Sequence, residues 1–381
     1  MSAEPRLTLI HDWLTTWGGG EQVLEAALET LGPAPIHTMV YRPEVFRQSS
    51  IGRQDIRTSF IQRLPRSRAN HRLYLPLMPL AAEQFDLRGF DLILSSSHVV
   101  AHGVLTGPNQ LHLSYTHAPA RYAWSLYREH LETAGLRRGI TSWAWRLLMH
   151  YLRLWDSAAA HRVDAFIANS RWTADNIWRA YRRRADVIYP PVDIDSFQPL
   201  EPREDYYLTV SRLVPYKRVD LIVEAFSRLG LPLRIVGTGP EMRRLSRIAR
   251  GNVEFLGWQS KGQLQELMGR ARAFVYAAVE DFGITLVEAQ AAGCPVIAYG
   301  RGGARETVLD GETGILFKER SGEGILQAVR AFGGRSGAFD SATLRRNAIR
   351  FGKDRFKKEL ADLVHARWTE FQNLGRGERL S

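Results

Sequence analysis

Short apolar runs alternate with helical patterns along the first half of the chain. The run at residues 6–10 predicts a buried strand, and a glycine turn and a helical pattern at 21–31 follow it. Apolar runs at 91–95 and 165–169 predict further short strands. Strands that alternate with helices favour an open, parallel α/β sheet.

A second series of the same kind begins after Pro190 and Pro191. Its pattern predicts strands at 206–210, 233–237, 253–257, 273–277 and 295–298, and helices at 218–229 and 284–292. We therefore expect an α/β protein with two doubly wound, Rossmann-like domains and a linker near 189–200. Ligands of open α/β sheets bind beyond the carboxyl ends of the strands, so two such domains facing each other would form a binding cleft.

The composition is that of an ordinary globular protein. The 381 residues favour two domains, and 45% of them are hydrophobic. No run of about 18 apolar residues occurs, so no membrane-spanning helix is expected. The net charge of +11 is spread over both halves of the chain, without an RNP-like aromatic motif or zinc-ligand spacing. This distribution disfavours a nucleic-acid-binding protein.

Cysteine usage and the start of the chain predict a cytoplasmic location. Cys294 is the single cysteine, so no internal disulfide can form, which is typical of a reducing compartment. The residues after Met1 include no long apolar segment, so we expect no signal peptide.

Two glutamates, eight residues apart, lie around the start of the helix predicted at 284–292. Phe282, Gly283 and Ile284 lie between Glu280 and Glu288. A helix N-terminus presents free N–H groups and the positive end of the helix dipole, which suits a diphosphate. The first glutamate can bind hydroxyls of a transferred sugar, and the second can bind ribose hydroxyls. A solvated acidic helix face is the alternative for an isolated pair, but the residues between the two glutamates favour a binding site.

Two cations follow the strand predicted at 206–210. Arg212 and Lys217 are placed to clamp a diphosphate and to stabilise the charge of a departing nucleoside diphosphate. An ordinary basic loop is the alternative. The nearby Gly237-Thr-Gly239 segment does not have the spacing of a dinucleotide-binding fingerprint, which disfavours an oxidoreductase.

A glycine turn and a histidine are candidates in the first half of the chain. Gly18, Gly19 and Gly20 open the first helix and could contact a phosphate or a sugar, although a plain tight turn explains them equally well. His117 follows an apolar run at 111–115 and is expected to face the cleft, with a structural histidine as the alternative. His11, His98 and His102 also lie at strand ends, so the presence of a histidine there does not decide between these interpretations.

In this order, the motifs resemble those of family 4 of the retaining glycosyltransferases, which have the two-domain GT-B fold. The resemblance covers nearly the whole chain and includes the linker from Pro190 to Asp193. The stretches at 17–23, 76–80, 84–86 and 115–124 are similar to bacterial mannosyltransferases that build O-antigen and exopolysaccharide units.

The resemblance implies a role for each motif and each domain. Residues 1–190 would bind the acceptor, residues 191–360 would bind the nucleotide sugar, and residues 361–381 would form a helix that crosses back to the first domain. His117 would lie close to the transferred sugar. The donor would be bound by Arg212 and Lys217 at the diphosphate, Gly257 near the base, Glu288 at the ribose, Glu280 at the sugar, and the backbone N–H groups of Phe282, Gly283 and Ile284.

The implied reaction is a retaining, metal-independent hexosyl transfer in surface polysaccharide assembly. GDP-mannose is the favoured donor, and the acceptor is a glycan or a polyprenyl-diphosphate-linked sugar. Because no obvious nucleophile is present, we favour front-face transfer with a phosphate oxygen taking the acceptor proton, rather than double displacement. A GT-B epimerase or phosphorylase is the alternative, and a requirement for free sugar or inorganic phosphate would distinguish it.

One acidic motif resembles a metal site. Asp193-Ile-Asp195 matches the D-x-D pattern that binds a metal–nucleotide complex in other glycosyltransferases. It directly follows the proline pair at the domain junction, where an extended turn is the better interpretation. We therefore expect neither a bound metal nor a cofactor.

The segment at 140–155 predicts an amphipathic helix. Its apolar residues share one stripe, and its basic residues share another. Tryptophan beside a basic face suits a helix on an anionic membrane surface, here the inner face of the cytoplasmic membrane. A helix packed on the amino-terminal sheet is the alternative. The apolar stripe comprises Ile140, Trp143, Leu147, Tyr151, Leu154 and Trp155, and the basic one Arg146, His150 and Arg153.

Overall fold

The computed structural model describes residues 5–133 and 138–377 and divides into two compact units. Of these residues, the first unit contains 5–133, 138–191 and 356–377, and the second contains 192–355. The domain boundaries predicted from the sequence lie between residues 190 and 191 and between residues 360 and 361.

The first unit contains a seven-stranded parallel sheet with the order β3-β2-β1-β4-β5-β6-β7. The order reverses direction between β1 and β4, which makes the sheet doubly wound. Strand β4 is buried along its whole length, as expected for a parallel strand covered on both faces. The strands are β1 (Leu7–His11), β2 (Ile36–Thr38), β3 (Ile56–Thr58), β4 (Leu92–Ser97), β5 (Leu111–Thr116), β6 (Ala165–Ala168) and β7 (Ala185–Val187).

Helices connect these strands, as a parallel sheet requires. The helices are α1 (Gly19–Leu31), α2 (Pro43–Phe46), α3 (Ser67–Asn70), α4 (Met78–Glu83), α5 (Tyr127–Thr133), α6 (Ile140–Ala159) and α7 (Arg171–Tyr181). Short 3-10 helices span Ile51–Arg53, Phe60–Arg63, His71–Leu77, Ala101–Gly103 and Ala160–Arg162.

The second unit contains a six-stranded parallel sheet with the order β10-β9-β8-β11-β12-β13. Here the order reverses between β8 and β11. The predicted class of two doubly wound, Rossmann-like domains is confirmed. The strands are β8 (Tyr207–Val210), β9 (Leu233–Val236), β10 (Val253–Gly257), β11 (Ala273–Tyr276), β12 (Val296–Tyr299) and β13 (Gly314–Phe317).

Helices connect the strands of the second unit as well. They are α8 (Val219–Leu229), α9 (Met242–Ile248), α10 (Lys261–Arg270), α11 (Ile284–Ala291), α12 (Ala304–Thr307), α13 (Gly322–Gly333) and α14 (Ser341–Ile349), with 3-10 helices at Pro215–Lys217 and Ser336–Ala338. The sequence of α8 explains its position and its end. Its apolar residues are buried, and the helix stops at Gly230, whose φ of 72° favours glycine.

The last helix, α15 (Lys353–Gly377), begins in the second unit and continues in the first. Phe356, Leu360 and Val364 are buried in the same apolar core as Leu9 and Leu94 of the first sheet. Among the described residues, no helix is long and apolar enough to cross a bilayer.

Candidate donor-binding site and a histidine cluster

The sheet of the second unit reverses its order between β8 and β11, and the loops that follow these two strands carry the predicted donor residues. Arg212 and Lys217 follow β8, and Glu280 follows β11. Adjacent strands whose connections leave in opposite directions open a crevice at their carboxyl ends, which is where ligands of such sheets bind. The topology therefore brings these three residues to one edge of the sheet.

Lys217, Tyr276 and Glu280 form a tight cluster at this edge. The Lys217 ammonium donates to the Glu280 carboxylate and to the Tyr276 hydroxyl, at 3.0 Å from the latter, and that hydroxyl also donates to Glu280. Only 11% of the Lys217 side chain and 13% of the Glu280 side chain are exposed. Burial lowers the pKa of Lys217, but Glu280 and the neighbouring tyrosines more than offset it, so the pKa is raised and the group stays cationic.

Arg212 lies beside this cluster but is exposed. Its guanidinium donates to the Tyr216 hydroxyl at 2.6 Å. The loop that carries it ends in the 3-10 helix Pro215–Lys217, and Arg218 follows in the left-handed region with φ 53°. The loop therefore offers one exposed and one largely buried cation.

Gly237 and Gly239 support the Arg212 loop from the neighbouring strand β9. Ser211 donates its N–H to the Val236 carbonyl at 3.0 Å, and the Leu213 N–H donates to the Thr238 carbonyl at 2.9 Å. A β-carbon on either glycine would overlap the Ser211 or the Leu213 carbonyl group. These glycines were not predicted as site residues, although two glycines directly after a predicted strand indicate such a close approach.

A second glycine pair, which the sequence analysis missed, holds the backbone of Glu280. The Gly303 N–H donates to the Glu280 carbonyl at 2.8 Å, and Gly302 pairs with Glu280 as an isolated bridge. A β-carbon on Gly302 would overlap the Glu280 carbonyl, and one on Gly303 would overlap the Phe282 backbone. In the sequence, this pair could have been recognised because two glycines again follow a predicted strand, here the one at 295–298.

Helix α11 begins beside this loop. Gly283 is its N-cap and has φ 93°, a conformation that favours glycine, while Phe282 is buried and packs against Phe351. Ile284 is the first residue of the helix, so its end presents backbone N–H groups. Glu288 lies one turn further along and is partly buried; burial raises its pKa to about 7.

Gly257 ends β10 and lies next to β9. It has φ 68°, and its carbonyl accepts a hydrogen bond of 2.7 Å from the Gly237 N–H. No atom lies within 4 Å of the position that a β-carbon on Gly257 would occupy, so the backbone there is open to a ligand.

The D-x-D motif takes part in an ion pair within the second unit. The Asp193 carboxylate accepts hydrogen bonds from Ser196 at 2.6 Å and from Lys261 at 2.5 Å. Within residues 5–133 and 138–377, no group of three or more His, Cys, Asp or Glu side chains is arranged to hold a metal ion.

In the first unit, the glycine turn and His117 are brought together. A β-carbon at Gly20 would lie 3.4 Å from His11 Cε1 and 3.6 Å from His117 Nε2. The Ser96 hydroxyl lies between the two histidines, 2.8 Å from His117 Nε2 and 3.1 Å from His11 Nδ1. Burial lowers the pKa of His117 well below its usual value, so its ring is neutral. Gly18 and Gly19 begin α1 directly before this contact.

Two family models match the chain. The model described as Glycosyltransferase Family 4 matches residues 17–196, and the model described as Glycosyl transferases group 1 matches residues 192–334. Together with the two doubly wound parallel sheets, these matches define a glycosyltransferase-type protein of the GT-B class. The chain belongs to glycosyltransferase family 4.

Two curated relatives illustrate the similarity. The chain is 33% identical over 199 residues to the GDP-mannose-dependent alpha-(1-6)-phosphatidylinositol monomannoside mannosyltransferase of Mycobacterium tuberculosis. The aligned region covers 44% of this chain and 52% of the relative. It is 33% identical over 183 residues to the D-inositol 3-phosphate glycosyltransferase of a Mycobacterium species, which covers 40% and 41%. The chain thus spans about half the length, or less, of these relatives.

Solved structures share the fold. Sucrose-phosphate synthase from Thermosynechococcus elongatus matches with a TM-score of 0.74 and 18% identity, over 96% of this chain and 99% of that one. The Anabaena protein Alr3699/HepE, in complex with UDP and glucose, matches with a TM-score of 0.68 and 17% identity, over 95% and 99%. These likenesses show the GT-B fold.

Proposed function

We propose that this chain transfers a hexose from a nucleotide sugar to a hydroxyl of a glycan or a lipid-linked sugar. The cluster of Lys217, Tyr276 and Glu280 at the β8/β11 edge carries the proposal. It holds a cation and a carboxylate beside the N-terminus of α11, where a nucleoside diphosphate and its sugar can be bound side by side.

The leaving group is the main electrostatic problem in such a transfer. As the bond to the diphosphate breaks, negative charge develops on the phosphate oxygens and the sugar acquires oxocarbenium character. In the proposed reaction, Arg212, Lys217 and the N–H groups at the start of α11 would stabilise that charge without a metal ion. Glu280 and Glu288 would then hold the sugar and ribose hydroxyls, and neutral His117 would contact the transferred sugar.

We propose retention of configuration by front-face transfer. The Glu280 carboxylate already accepts from Lys217 and Tyr276, and these bonds suit a residue that holds hydroxyls better than a free nucleophile. A phosphate oxygen of the donor would take the acceptor proton. Trapping of a glycosyl–enzyme adduct on Glu280 would contradict this mechanism.

GDP-mannose is the proposed donor. The name of the mycobacterial relative specifies GDP-mannose and a phosphatidylinositol mannoside, which supports a mannosyl donor and a lipid-linked acceptor here. We propose a polyprenyl-diphosphate-linked sugar or a glycan as the acceptor, in surface polysaccharide assembly. The Anabaena neighbour binds UDP and glucose, so UDP-glucose is the donor to test against GDP-mannose.

Proton NMR of the reaction tests the function. The full chain is incubated with GDP-mannose, EDTA and a panel of free and lipid-linked mannosides, and the anomeric signal of the product is followed. We expect release of GDP with an α-linked product. Turnover that requires inorganic phosphate, or conversion of the sugar nucleotide to an epimer without an acceptor, would instead favour a phosphorylase or an epimerase.

An exposed apolar stripe on α6 supports peripheral attachment to a membrane. Ile140, Trp143, Leu147 and Leu154 are 86%, 74%, 70% and 60% exposed, although they lie at helical spacing on one face. Met149 and Leu152, on the opposite face, are buried in the first unit. One face of the helix thus packs on the domain, while the opposite face is apolar and exposed. Such a face is unusual where a helix is covered only by water.

Basic residues flank this apolar stripe. Arg146 donates to the Ser142 hydroxyl, and Arg153 donates to the Ala123 carbonyl, so both are fixed next to the stripe. Trp155 is not part of the stripe, because its indole N–H donates to Glu83 at 2.8 Å. We propose that the stripe inserts into the headgroup region of an anionic bilayer, on the inner face of the cytoplasmic membrane.

A further inference from the structure

The sheet of the first unit has its own switch point, between β1 and β4. Asp12 directly follows β1, and His98 directly follows β4. The two strands are hydrogen-bonded neighbours, so both residues lie at the same carboxyl edge, where sheets of this kind bind ligands. This edge belongs to the first unit, whereas the β8/β11 edge belongs to the second.

Asp12 anchors the loop that follows β4. Its carboxylate is completely buried and accepts four backbone N–H bonds, from His98 at 2.6 Å, Val99 at 3.1 Å, Val100 at 2.6 Å and Ala101 at 2.9 Å. Burial alone would raise the pKa of this carboxyl, but His98 and the backbone N–H groups hold the pKa well below its usual value. Asp12 is therefore an anion and can only accept hydrogen bonds.

This anion fixes the hydrogen positions on His98. The distance from His98 Nδ1 to Asp12 Oδ2 is 2.9 Å, so Nδ1 must carry the proton that is donated to the carboxylate. Nε2 is then the ring nitrogen that is left for a ligand, because Nδ1 is used by Asp12. Among residues 5–133 and 138–377, no side chain or backbone group is hydrogen-bonded to this Nε2.

The ring of His98 is also fixed in orientation and partly open. Trp13 packs edge-on against it, with the ring centroids 4.5 Å apart and an interplanar angle of 85°. His117 lies 6.3 Å away, centroid to centroid. Whereas the side chain of His11 is fully buried, 32% of the His98 side chain is exposed. The cluster therefore presents one oriented ring nitrogen to a ligand, close to the ring of His117.

We propose that His98 binds a hydroxyl of the acceptor sugar through Nε2, while Asp12 holds the ring through Nδ1. The inference rests on the proposed function, because it identifies the hydroxyl-bearing substrate with the glycosyl acceptor. A sugar hydroxyl fits the position because it can donate a hydrogen bond to Nε2 and can also accept one from it. In this arrangement His98 orients the acceptor, and Asp12 acts through His98 as a positioning residue.

Paired substitutions separate this role from a purely structural one. In His98→Asn, the amide nitrogen can still donate to Asp12 in place of Nδ1, but nothing occupies the position of Nε2. In His98→Gln, an amide oxygen can lie near the position of Nε2. His161→Asn, at an exposed histidine of the same unit, is the matched control.

Binding of methyl α-D-mannopyranoside is measured by saturation-transfer NMR on the full chain in the presence of GDP, with GDP binding measured separately by thermal shift. We expect the wild type and His161→Asn to bind the mannoside equally well. The saturation-transfer signal should be at least tenfold weaker for His98→Asn and should be partly restored in His98→Gln. GDP should cause the same thermal shift in all four proteins.

Two results would overturn the inference while GDP still binds. One is equal binding of the mannoside by His98→Asn and the wild type, and the other is no binding by the wild type. If His98→Asn does not fold, the wild type is labelled with ¹⁵N-histidine, and the Nε2 resonance of His98 is assigned as the one that is missing in His98→Gln. This resonance should shift when the mannoside is added. An unchanged resonance overturns the inference. Absence of any GDP shift in the folded wild type would contradict the proposed function itself.

Discussion

Gly239 lies so close to Leu213 that a β-carbon at position 239 would come within 2.7 Å of the Leu213 carbonyl carbon. Because Leu213 directly follows Arg212, this contact sets how closely the Arg212 loop lies against β9. The close approach explains why glycine is needed here, although no dinucleotide fingerprint is present.

Gly239→Ala should therefore weaken nucleotide binding. Since a real β-carbon cannot approach a backbone this closely, the Arg212 loop must shift, and we expect the affinity for GDP to fall about tenfold or more, consistent with the sensitivity of such sites to small displacements. Gly251→Ala is the control, because no atom lies within 4 Å of its β-carbon position. Calorimetric titration with GDP compares the two, and equal affinities would refute this role of Gly239.

Lys217→Ala should abolish most of the transfer reaction. Loss of one preorganised group that stabilises developing charge typically costs about 10²–10³ in rate, and we expect a fall in kcat of that order. The variant also leaves Glu280 without its cation, so circular dichroism must show that it remains folded. Lys318→Ala, at an exposed lysine of the same unit, should behave as the wild type. Near-normal turnover of folded Lys217→Ala would rule out the clamp.

Glu288 should make the stability of the protein depend on pH. Its pKa is raised to about 7 by burial, so the folded protein binds a proton that the unfolded chain releases near pH 4.5. Stability is then fully present below about pH 4.5 and is lost as the pH rises through 7. We expect the wild type to lose more stability than Glu288→Gln between pH 5 and pH 8 in urea unfolding. Parallel pH profiles of the two proteins would contradict the raised pKa.

Asp12→Asn should destabilise the first unit. An amide has one acceptor oxygen, and its NH₂ group would face backbone N–H groups that now donate to the carboxylate. Buried hydrogen bonds to a charged group are each worth about 1.5–3 kcal/mol, so we expect a loss of about 3 kcal/mol or more in free energy of unfolding. Asp175→Asn, at an exposed position of α7, is the control. A loss below about 1 kcal/mol would show that the carboxylate does not anchor this loop.

The exposed stripe on α6 should bind anionic vesicles. We expect the wild type to float with vesicles that contain phosphatidylglycerol at low salt, but not with pure phosphatidylcholine, because the basic flank adds to apolar insertion. Trp143→Ser combined with Leu147→Ser should abolish flotation. Trp178→Ser, at another exposed tryptophan of the same unit, should leave it unchanged. If the doubly substituted variant floats as well as the wild type, this surface is excluded as the membrane contact.

The longer buried strands were predictable from the sequence, but the short edge strands were not. Buried strands such as β1 and β4 each contain a short cluster of aliphatic residues, which is why their positions were predicted to within two residues. The two edge strands, β3 and β7, have only three residues each, and β3 is largely exposed. An edge strand buries little apolar surface, so its sequence lacks the run that identifies a strand.

The pairing of Lys217 with Glu280 was also beyond the sequence. The two residues were assigned separate roles, one at the diphosphate and one at the sugar. They are neighbours only because β11 lies beside β8 in the sheet, and strand order is not encoded in any local pattern. The same holds for Asp12 and His98, which are 86 residues apart and meet through the pairing of β1 with β4.

Calorimetric titration of the wild-type chain with GDP-mannose, in the presence of EDTA, tests the central claim most directly. A donor site at the β8/β11 edge predicts one molecule bound per chain without a metal ion, more tightly than UDP-glucose or ADP-glucose. Failure of the folded protein to bind any nucleotide sugar, or binding that appears only with Mg²⁺, would contradict the claim.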